Sequence, residues 1–337
     1  MNRALHGEVM DAMDSVGRFP AMQRLWGGQF EDLLNYLALA TPGMEYGLDL
    51  VRHDVRQKPQ CSTVVITGER CTGTKDDGSD SPILVNVAKL AEILAPVSCM
   101  ESLARNGREP NALTILFSGG VRHATAAGEY PADVLAAQFN ALTHNQYAPA
   151  VAFETASLNT GDQARVLAGM LYARRPKRVV FAHVKDHVAR LAATVTYALQ
   201  QMIDAENHRL YLVGEGLILD HSPGEIALRA RFDAARREMP EILIVAIGEW
   251  HNRDLRRGKG NGISRAQEAF GEIQTAEEAV VLGKHLGGEY GERYFNEQHR
   301  FNSVGFSCPA HTPAEMVKII PRWVKERMGY YRAGGVG

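Results

Sequence analysis

Glycine and ionisable residues follow five short apolar runs of the sequence, each at the point where a run ends. They occupy the segments 68–70, 118–123, 154–160, 183–187 and 214–216. If the runs are parallel strands of one sheet, these segments meet along its carboxyl edge, where open α/β sheets bind ligands. Glycine-rich turns and arginine side chains bind anions, and a carboxylate binds hydroxyl groups or acts as a general base. The pattern predicts a polar ligand site built from several loops.

The segment after the second run reads Ser118-Gly119-Gly120-Val121-Arg122-His123. It is either a tight strand exit, because glycine adopts positive φ at little cost, or a backbone that approaches a phosphate or carboxylate. In the second case Arg122 supplies positive charge. The segment is not the dinucleotide fingerprint, which needs a third glycine at a fixed spacing. Gly68 and Glu69, after the first run, are candidates for the same ligand.

Glu154 follows the third apolar run. It is a solvated strand end, a partner for a ribose hydroxyl, or a general base. Ser157, Asn159 and Thr160 come next and are further candidate ligand residues. Capping also explains Thr160, which forms a capping-box pattern with Gln163, and asparagine suits turns.

Asp186, His187 and Arg190 follow the fourth run. Asp186 suits a helix cap as well as a ligand site. His187 and Arg190 are three residues apart and share one face of the first helical turn, where an anion would bind. An exposed histidine is more often inert. Glu154 and His187 are the two candidates for a catalytic base.

Two other features predict less chemistry. The segment Arg256–Ile263 (RRGKGNGI) is rich in glycine and basic residues but lacks the P-loop spacing, which favours a solvated loop. His311 lies near Cys308 without further metal-ligand partners, so we predict no metal site. The sequence also lacks the HExxH, GxSxG and CxxC motifs.

Composition restricts the class of protein. The chain has 337 residues, 45% of them hydrophobic and 23% charged, with a net charge of -2. This balance gives no basic field for nucleic acid. The scattered cysteines predict reduced thiols, the N-terminus lacks a signal peptide, and no stretch approaches the roughly 20 apolar residues of a membrane helix. We expect a soluble cytoplasmic protein that binds neither nucleic acid nor membranes.

The elements that position these residues alternate from about residue 62. Short β-rich runs alternate with longer amphipathic segments, which is typical of βαβ units and a parallel sheet. The five predicted strands are Thr63–Thr67, Leu113–Phe117, Ala150–Phe153, Arg178–Ala182 and Leu210–Val213. Helices are predicted to begin near Pro131, Thr160 and Asp186. We predict an α/β protein with a Rossmann-like, three-layer parallel sheet.

Helical additions are expected on both sides of this core. Apolar residues recur at near-helical spacing in residues 1–60. Residues 225–256 also favour helix. Ile242–Ile247 (ILIVAI) is compatible with a strand, but helix is favoured because Glu249, Trp250 and Asn252 continue the pattern without a turn signal.

Two more helices are predicted at residues 275–290 and at Pro313–Arg327. These patterns divide the chain into an N-terminal helical segment (1–61), a Rossmann-type core (62–220) and a C-terminal helical region (221–337) that packs on the core.

Three stretches resemble the YdcF/SanA/ElyC family of Rossmann-like proteins. They are Ile115–Thr125 (ILFSGGVRHAT), Phe153–Ala164 (FETASLNTGDQA) and Val179–Ala192 (VVFAHVKDHVARLA). Members of the family show a strand ending in SGG, an acid followed by S-x-N/T-T, and an H-x-x-R-like helix start. The residues that match these places are Gly119, Gly120, Glu154, Ser157, Asn159, Thr160, His187 and Arg190. Gln163 stands where the family usually has asparagine.

The resemblance, which covers about residues 62–215, implies a soluble YdcF-like protein rather than the membrane-anchored SanA and ElyC types. The soluble type is associated with S-adenosylmethionine binding, without an established reaction. The resemblance therefore implies S-adenosylmethionine as the leading candidate ligand or cofactor. An ordinary methyltransferase would carry an acid where Ser118, Gly119 and Gly120 stand, so that reaction is not expected.

Three functions remain open from the sequence. The first is a binding protein or enzyme that recognises an anionic, nucleotide-like small molecule. The second is a hydrolase or transferase that acts on a phosphorylated or glycosylated substrate, with Glu154 or His187 as the base. The third is a non-catalytic regulatory module. The sequence decides neither the reaction nor the oligomeric state.

Overall fold

The structure is a computed structural model. It describes residues 43–68, 82–97, 99–100, 111–118, 132–154, 157, 160–184, 188–217, 223–248 and 328–330. The helices within these ranges are α1 (Gly43–Gln57), α2 (Pro82–Leu94), α3 (Ala132–Leu142), α4 (Thr160–Arg174), α5 (Val188–Leu217) and α6 (Pro223–Ala235). The strands are β1 (Thr63–Gly68), β2 (Cys99–Met100), β3 (Ala112–Ser118), β4 (Val151–Glu154), β5 (Arg178–Val184), β6 (Glu241–Gly248) and β7 (Met328–Tyr330).

These strands form one sheet in the order β6-β5-β1-β3-β4-β7. The five strands from β6 to β4 are parallel, β2 adds a short parallel pairing to β3, and β7 is antiparallel to β4. The chain begins in the middle with β1, moves outward through β3 and β4, and then returns to the other side of β1 for β5 and β6. The predicted α/β fold is confirmed, and its topological switch point lies between β1 and β5.

Helices cover both faces of the sheet. On one face, Val65 and Phe117 are buried against Leu48 of α1, Leu90 of α2 and Phe139 of α3. The alternating residues Val64, Ile66 and Leu116 point to the opposite face and are also buried. There α4 and α5 pack against each other, and α5 contacts β5 and β6. Burial on both faces explains why these strands read as continuous apolar runs.

Four of the five predicted strands are confirmed, with ends that differ by one or two residues. They are the strands that the structure places at Thr63–Gly68, Ala112–Ser118, Val151–Glu154 and Arg178–Val184. The helices predicted after Pro131 and at Thr160 are present as α3 and α4, and α5 begins at Val188, two residues after Asp186.

The prediction of a fifth strand at Leu210–Val213 was wrong, because α5 continues through it to Leu217. The run is short, and it lacks a preceding turn signal that would stop the helix. Tyr211 is 46% exposed, which suits a helix surface and not a buried strand. The segment 214–216 therefore lies in α5 and not at the end of a strand.

The preference for helix at Ile242–Ile247 was also wrong, since these residues form β6. Pro240 ends the connection after α6, and the β-branched run then pairs with β5 from Arg178 and Glu241 onward. Val245 to Ile247 are buried in the sheet. The helix predicted over 225–256 is confirmed only as far as Ala235.

The sheet combines strands from two of the ranges proposed from sequence. Strands β1 to β5 lie within the core range 62–220, and β6 and β7 lie within the C-terminal range 221–337. From the N-terminal range, α1 packs on β6. The predicted helices at 275–290 and Pro313–Arg327, the loop Arg256–Ile263, and the Cys308 and His311 pair lie outside the described residues. Among the helices that the structure describes, none has the length and apolarity needed to cross a membrane.

Candidate functional site

Gly68, Ser118 and Glu154 form a row at the carboxyl edge of the sheet. Gly68 pairs with Ser118, and Ser118 pairs with Glu154, so the last residues of β1, β3 and β4 stand side by side. Neighbouring strands lie about 4.8 Å apart, and paired residues project to the same face. The row faces the α4 and α5 layer, because the preceding residue Phe117 belongs to the opposite core. Strand pairing alone therefore brings three predicted site residues together.

Gly68 allows the ends of β1 and β3 to come unusually close. A Cβ atom at this position would stand 1.6 Å from the carbonyl oxygen of Ser118 and 2.7 Å from its carbonyl carbon. Both are backbone atoms, so a larger residue could enter only if a strand moved. Glycine is required here because there is no room for a side chain. Ser118 therefore has no neighbouring side chain from β1 in this row.

Glu154 is the buried acid of the row, with an exposed fraction of 1%. Its Oε2 accepts hydrogen bonds from Ser118 Oγ at 3.0 Å and from Ser157 Oγ at 2.9 Å. Its Oε1 accepts a hydrogen bond from the backbone N–H of Ser157 at 2.7 Å. A buried carboxylate is costly unless it is well hydrogen-bonded, and these donors stabilise it. Glu154 thereby ties the end of β3 to the segment that leads into α4.

Gln163 extends this network from α4. Its Nε2 donates to Ser118 Oγ at 3.0 Å and lies 3.3 Å from the carbonyl oxygen of Ser118. The Ser118 hydroxyl therefore accepts from Gln163 and donates to Glu154. Sequence reasoning gave Gln163 only a capping role with Thr160. Its position in the family pattern, where asparagine is usual, was the one signal that pointed to the site.

His183 lies near the end of β5, next to the switch point, and is fully buried. It alternates with Ala182, which belongs to the α1 to α3 face, so His183 projects toward α5. A register shift between His183 and Val184 interrupts the pairing of β5 with β6. Such irregularities re-aim side chains at functional edges. The sequence placed His183 after a strand but did not select it, because the importance of that position depends on the strand order.

The structure gathers four of the predicted site residues, Gly68, Ser118, Glu154 and Ser157, at one edge. Thr160 and Arg190 lie in the first turns of α4 and α5, whose N-termini open at the same edge. The other candidates lie outside the described residues: Glu69, Gly119, Gly120, Arg122, Asn159, Asp186 and His187.

The geometry favours a positioning role over a catalytic role for Glu154. Both carboxylate oxygens accept hydrogen bonds from within the protein, and the side chain is almost entirely shielded from solvent. A group in this position orients Ser118 and Ser157. Helix N-termini at the same edge present backbone N–H groups to an anion.

Comparisons of the chain with protein-family models, with curated proteins and with solved structures found no match.

Proposed function

We propose that the protein binds a small, anionic, nucleotide-like molecule at the carboxyl edge of its sheet. The observation that supports this most is the row of Gly68, Ser118 and Glu154 beside the switch point between β1 and β5. Open α/β sheets bind ligands at such a crevice, outside the carboxyl ends of the strands. Gly68 lets the ends of β1 and β3 come close together at that crevice, and Glu154 and Gln163 hold the Ser118 hydroxyl in place there.

In this proposal Glu154 is a positioning residue. It accepts three hydrogen bonds, from the Ser118 hydroxyl, the Ser157 hydroxyl and the Ser157 backbone N–H. The positive charge for the ligand would come from Arg122, His187 and Arg190, whose sequence positions follow β3 and β5. An anion would be held partly by backbone N–H groups at the starts of α4 and α5.

S-adenosylmethionine is the first candidate within this class, because the sequence resembles soluble YdcF-like proteins over about residues 62–215. Adenine nucleotides are the second candidates, since they share the adenosine part and carry phosphates.

Isothermal calorimetry with S-adenosylmethionine, ATP and AMP tests the proposal. We expect one of these to bind wild-type protein and to raise its melting temperature, because a ligand at 100 times its Kd stabilises a fold by about 2.7 kcal/mol. Ser118→Ala removes the hydroxyl between Gln163 and Glu154 and is expected to weaken binding about tenfold, which corresponds to about 1.4 kcal/mol.

The matched control is Glu92→Gln, an exposed acid on α2, which should leave the Kd unchanged when Glu154→Gln weakens it. If none of the three molecules binds, or if Ser118→Ala and Glu154→Gln bind as tightly as wild type, the proposal fails.

A further inference from the structure

A cavity opens at the amino edge of the sheet, at the opposite ends of the strands from Glu154. It has a volume of about 940 Å³ and lies between the C-terminal end of α4, the middle of α5 and the starts of β5 and β6. Pockets of this size hold small organic molecules. Its floor is apolar and includes Leu171, Leu199 and Ile203.

One wall of this cavity is fixed by Arg237. The Asn207 side chain accepts from Arg237 N at 2.9 Å and donates to Arg237 O at 3.0 Å. The Arg237 guanidinium lies 3.8 Å from the ring centroid of Tyr172, and its Nε is 3.1 Å from Glu206 Oε2. Tyr172 also donates a hydrogen bond to Glu206. These contacts anchor the connection between α6 and β6 to α4 and α5, so this wall of the cavity is held in place.

Basic side chains outnumber acidic ones around the cavity, five to three. Lys58 pairs with Glu241 at 2.7 Å, and Arg236 lies 3.8 Å from Asp233. Arg237 is paired with Glu206, as described above. Glu238 is the acid of the lining that stays outside these pairs.

Arg175 and Lys177 are the two remaining cations of the lining. Both are exposed, and in the part of the chain that the structure describes their side chains have no hydrogen-bond or ion-pair partner. They flank Pro176, which is buried, in the connection between α4 and β5. Two unpaired cations therefore stand at one side of a cavity with an apolar floor.

The backbone that carries these two cations is rigid. Arg175 N donates to Leu171 O at 2.9 Å, Lys177 N donates to Ser62 O at 3.0 Å, and Glu241 N donates to Lys177 O at 2.9 Å. Arg175 has a φ of 54°, in the left-handed region where helix ends usually carry glycine. A side chain at such a position costs about 1 kcal/mol or more, and strain of this kind clusters at binding sites.

We propose that this amino-edge cavity binds a small organic anion, with its phosphate or carboxylate group on Arg175 and Lys177 and its apolar part on Leu171, Leu199 and Ile203. A cationic side chain forms charge-assisted hydrogen bonds to a phosphate or carboxylate, and the apolar floor adds affinity for a ligand with a hydrocarbon or aromatic part. This site is separate from the carboxyl-edge site and does not depend on it.

The test is calorimetric titration of the full chain with phenyl phosphate. Inorganic phosphate and phenol, titrated separately, probe the contributions of the phosphate group and of the aromatic ring. We expect phenyl phosphate to bind more tightly than either half, and Lys177→Gln to weaken it about tenfold. Arg175→Gly should weaken it by a similar factor while the melting temperature holds or rises, because glycine relieves the left-handed backbone. Unfolding therefore cannot explain the loss.

Lys89→Gln, an exposed cation on α2, is the control and should bind phenyl phosphate like wild type. Absence of phenyl phosphate binding, equal affinity for inorganic phosphate, or unchanged affinity in both Arg175→Gly and Lys177→Gln would overturn the proposal. Ser118→Ala should bind phenyl phosphate like wild type, which separates this test from that of the carboxyl edge.

Discussion

The two edges of the sheet bury charge in different ways. At the amino edge, Arg178 is 1% exposed and forms an ion pair with Asp54 of α1. Its guanidinium also donates to Thr63 Oγ1 at 3.1 Å and to Lys58 O at 2.9 Å. At the carboxyl edge, the Glu154 carboxylate accepts hydrogen bonds from the hydroxyls of Ser118 and Ser157 and from the Ser157 backbone N–H.

This difference separates a structural network from a candidate site. The partners of Arg178 lie in α1, β1 and the segment between them, so the ion pair locks the start of β5 against rigid elements. The donors to Glu154 include Ser157, which belongs to the connection toward α4. A charge held in this way sets the position of a loop, and loops on rigid edges are where proteins bind ligands.

The largest effect is expected at the amino edge, from Arg178→Met. Removing the arginine leaves Asp54 buried beside a new apolar side chain, and breaking such a pair costs about 3 to 5 kcal/mol of unfolding free energy. Urea denaturation measures it. Lys58→Met, which removes the exposed partner 3.6 Å from the same carboxylate, is the control and should cost less than about 1 kcal/mol. If Arg178→Met lowers the free energy of unfolding as little as the control does, the proposed structural role of this edge is contradicted.

A smaller loss, about 1 to 3 kcal/mol, is expected for Gly68→Ala, because the new methyl group would overlap the Ser118 carbonyl and push β1 and β3 apart. Urea denaturation and calorimetry with the carboxyl-edge ligand would both report it. A variant with wild-type stability and wild-type affinity would show that the close approach of these strands is not needed.

Glu154→Gln is expected to cost about 1 to 3 kcal/mol, since the amide keeps the shape but turns an N–H group toward a hydrogen-bond donor. Urea denaturation of the two proteins gives the difference. Glu92→Gln should change the unfolding free energy by less than about 0.5 kcal/mol. Equal effects of the two substitutions would mean that the hydrogen bonds to Glu154 do not stabilise the carboxyl edge.

A further effect concerns pH and the amino-edge cavity. Burial, followed by the hydrogen bond to Glu206, raises the pKa of Tyr172 from 10.0 to about 12. Between these pKa values the folded protein keeps a proton that the unfolded chain loses, so the free energy of unfolding falls as pH rises from about 10 to about 12.

Tyr172→Phe should make this alkaline decline less steep, as measured by urea denaturation at several pH values. Tyr211→Phe, at an exposed position on α5, should leave the slope as it is in wild type. A Tyr172→Phe protein with the wild-type slope would contradict the raised pKa.

Four strands of the core could be predicted from the sequence because burial on both faces produces a continuous apolar run with glycine or polar residues after it. The same reasoning failed for Ile242–Ile247 and for Leu210–Val213. Periodicity does not separate a short buried strand from a buried helical segment. Pro240 was the local signal that would have favoured a strand, since helices usually end before a proline.

The candidate site could be predicted only in part. Local sequence indicated that Gly68, Ser118 and Glu154 each end a strand, but their side-by-side row depends on pairings between distant segments. The contact from Gln163 to Ser118 likewise joins α4 to β3. The position of His183 beside the switch point requires the order of β5 and β1, which tertiary packing decides. The register between strands that are distant in sequence cannot be predicted from any short stretch of the chain.

The antiparallel strand β7 has a consequence for how the chain is made. It covers the outer side of β4, where Glu154 pairs with Met328 and Ala152 with Tyr330. A ribosome releases β4 long before it has added residues 328–330, so the newly made domain carries that strand without its final neighbour throughout the interval. An unpaired strand edge can pair with other chains. Because β7 is made late, the edge of β4 stays unpaired for longer. The interval between the synthesis of β4 and that of β7 is therefore the one in which the outer side of β4 is vulnerable to aggregation.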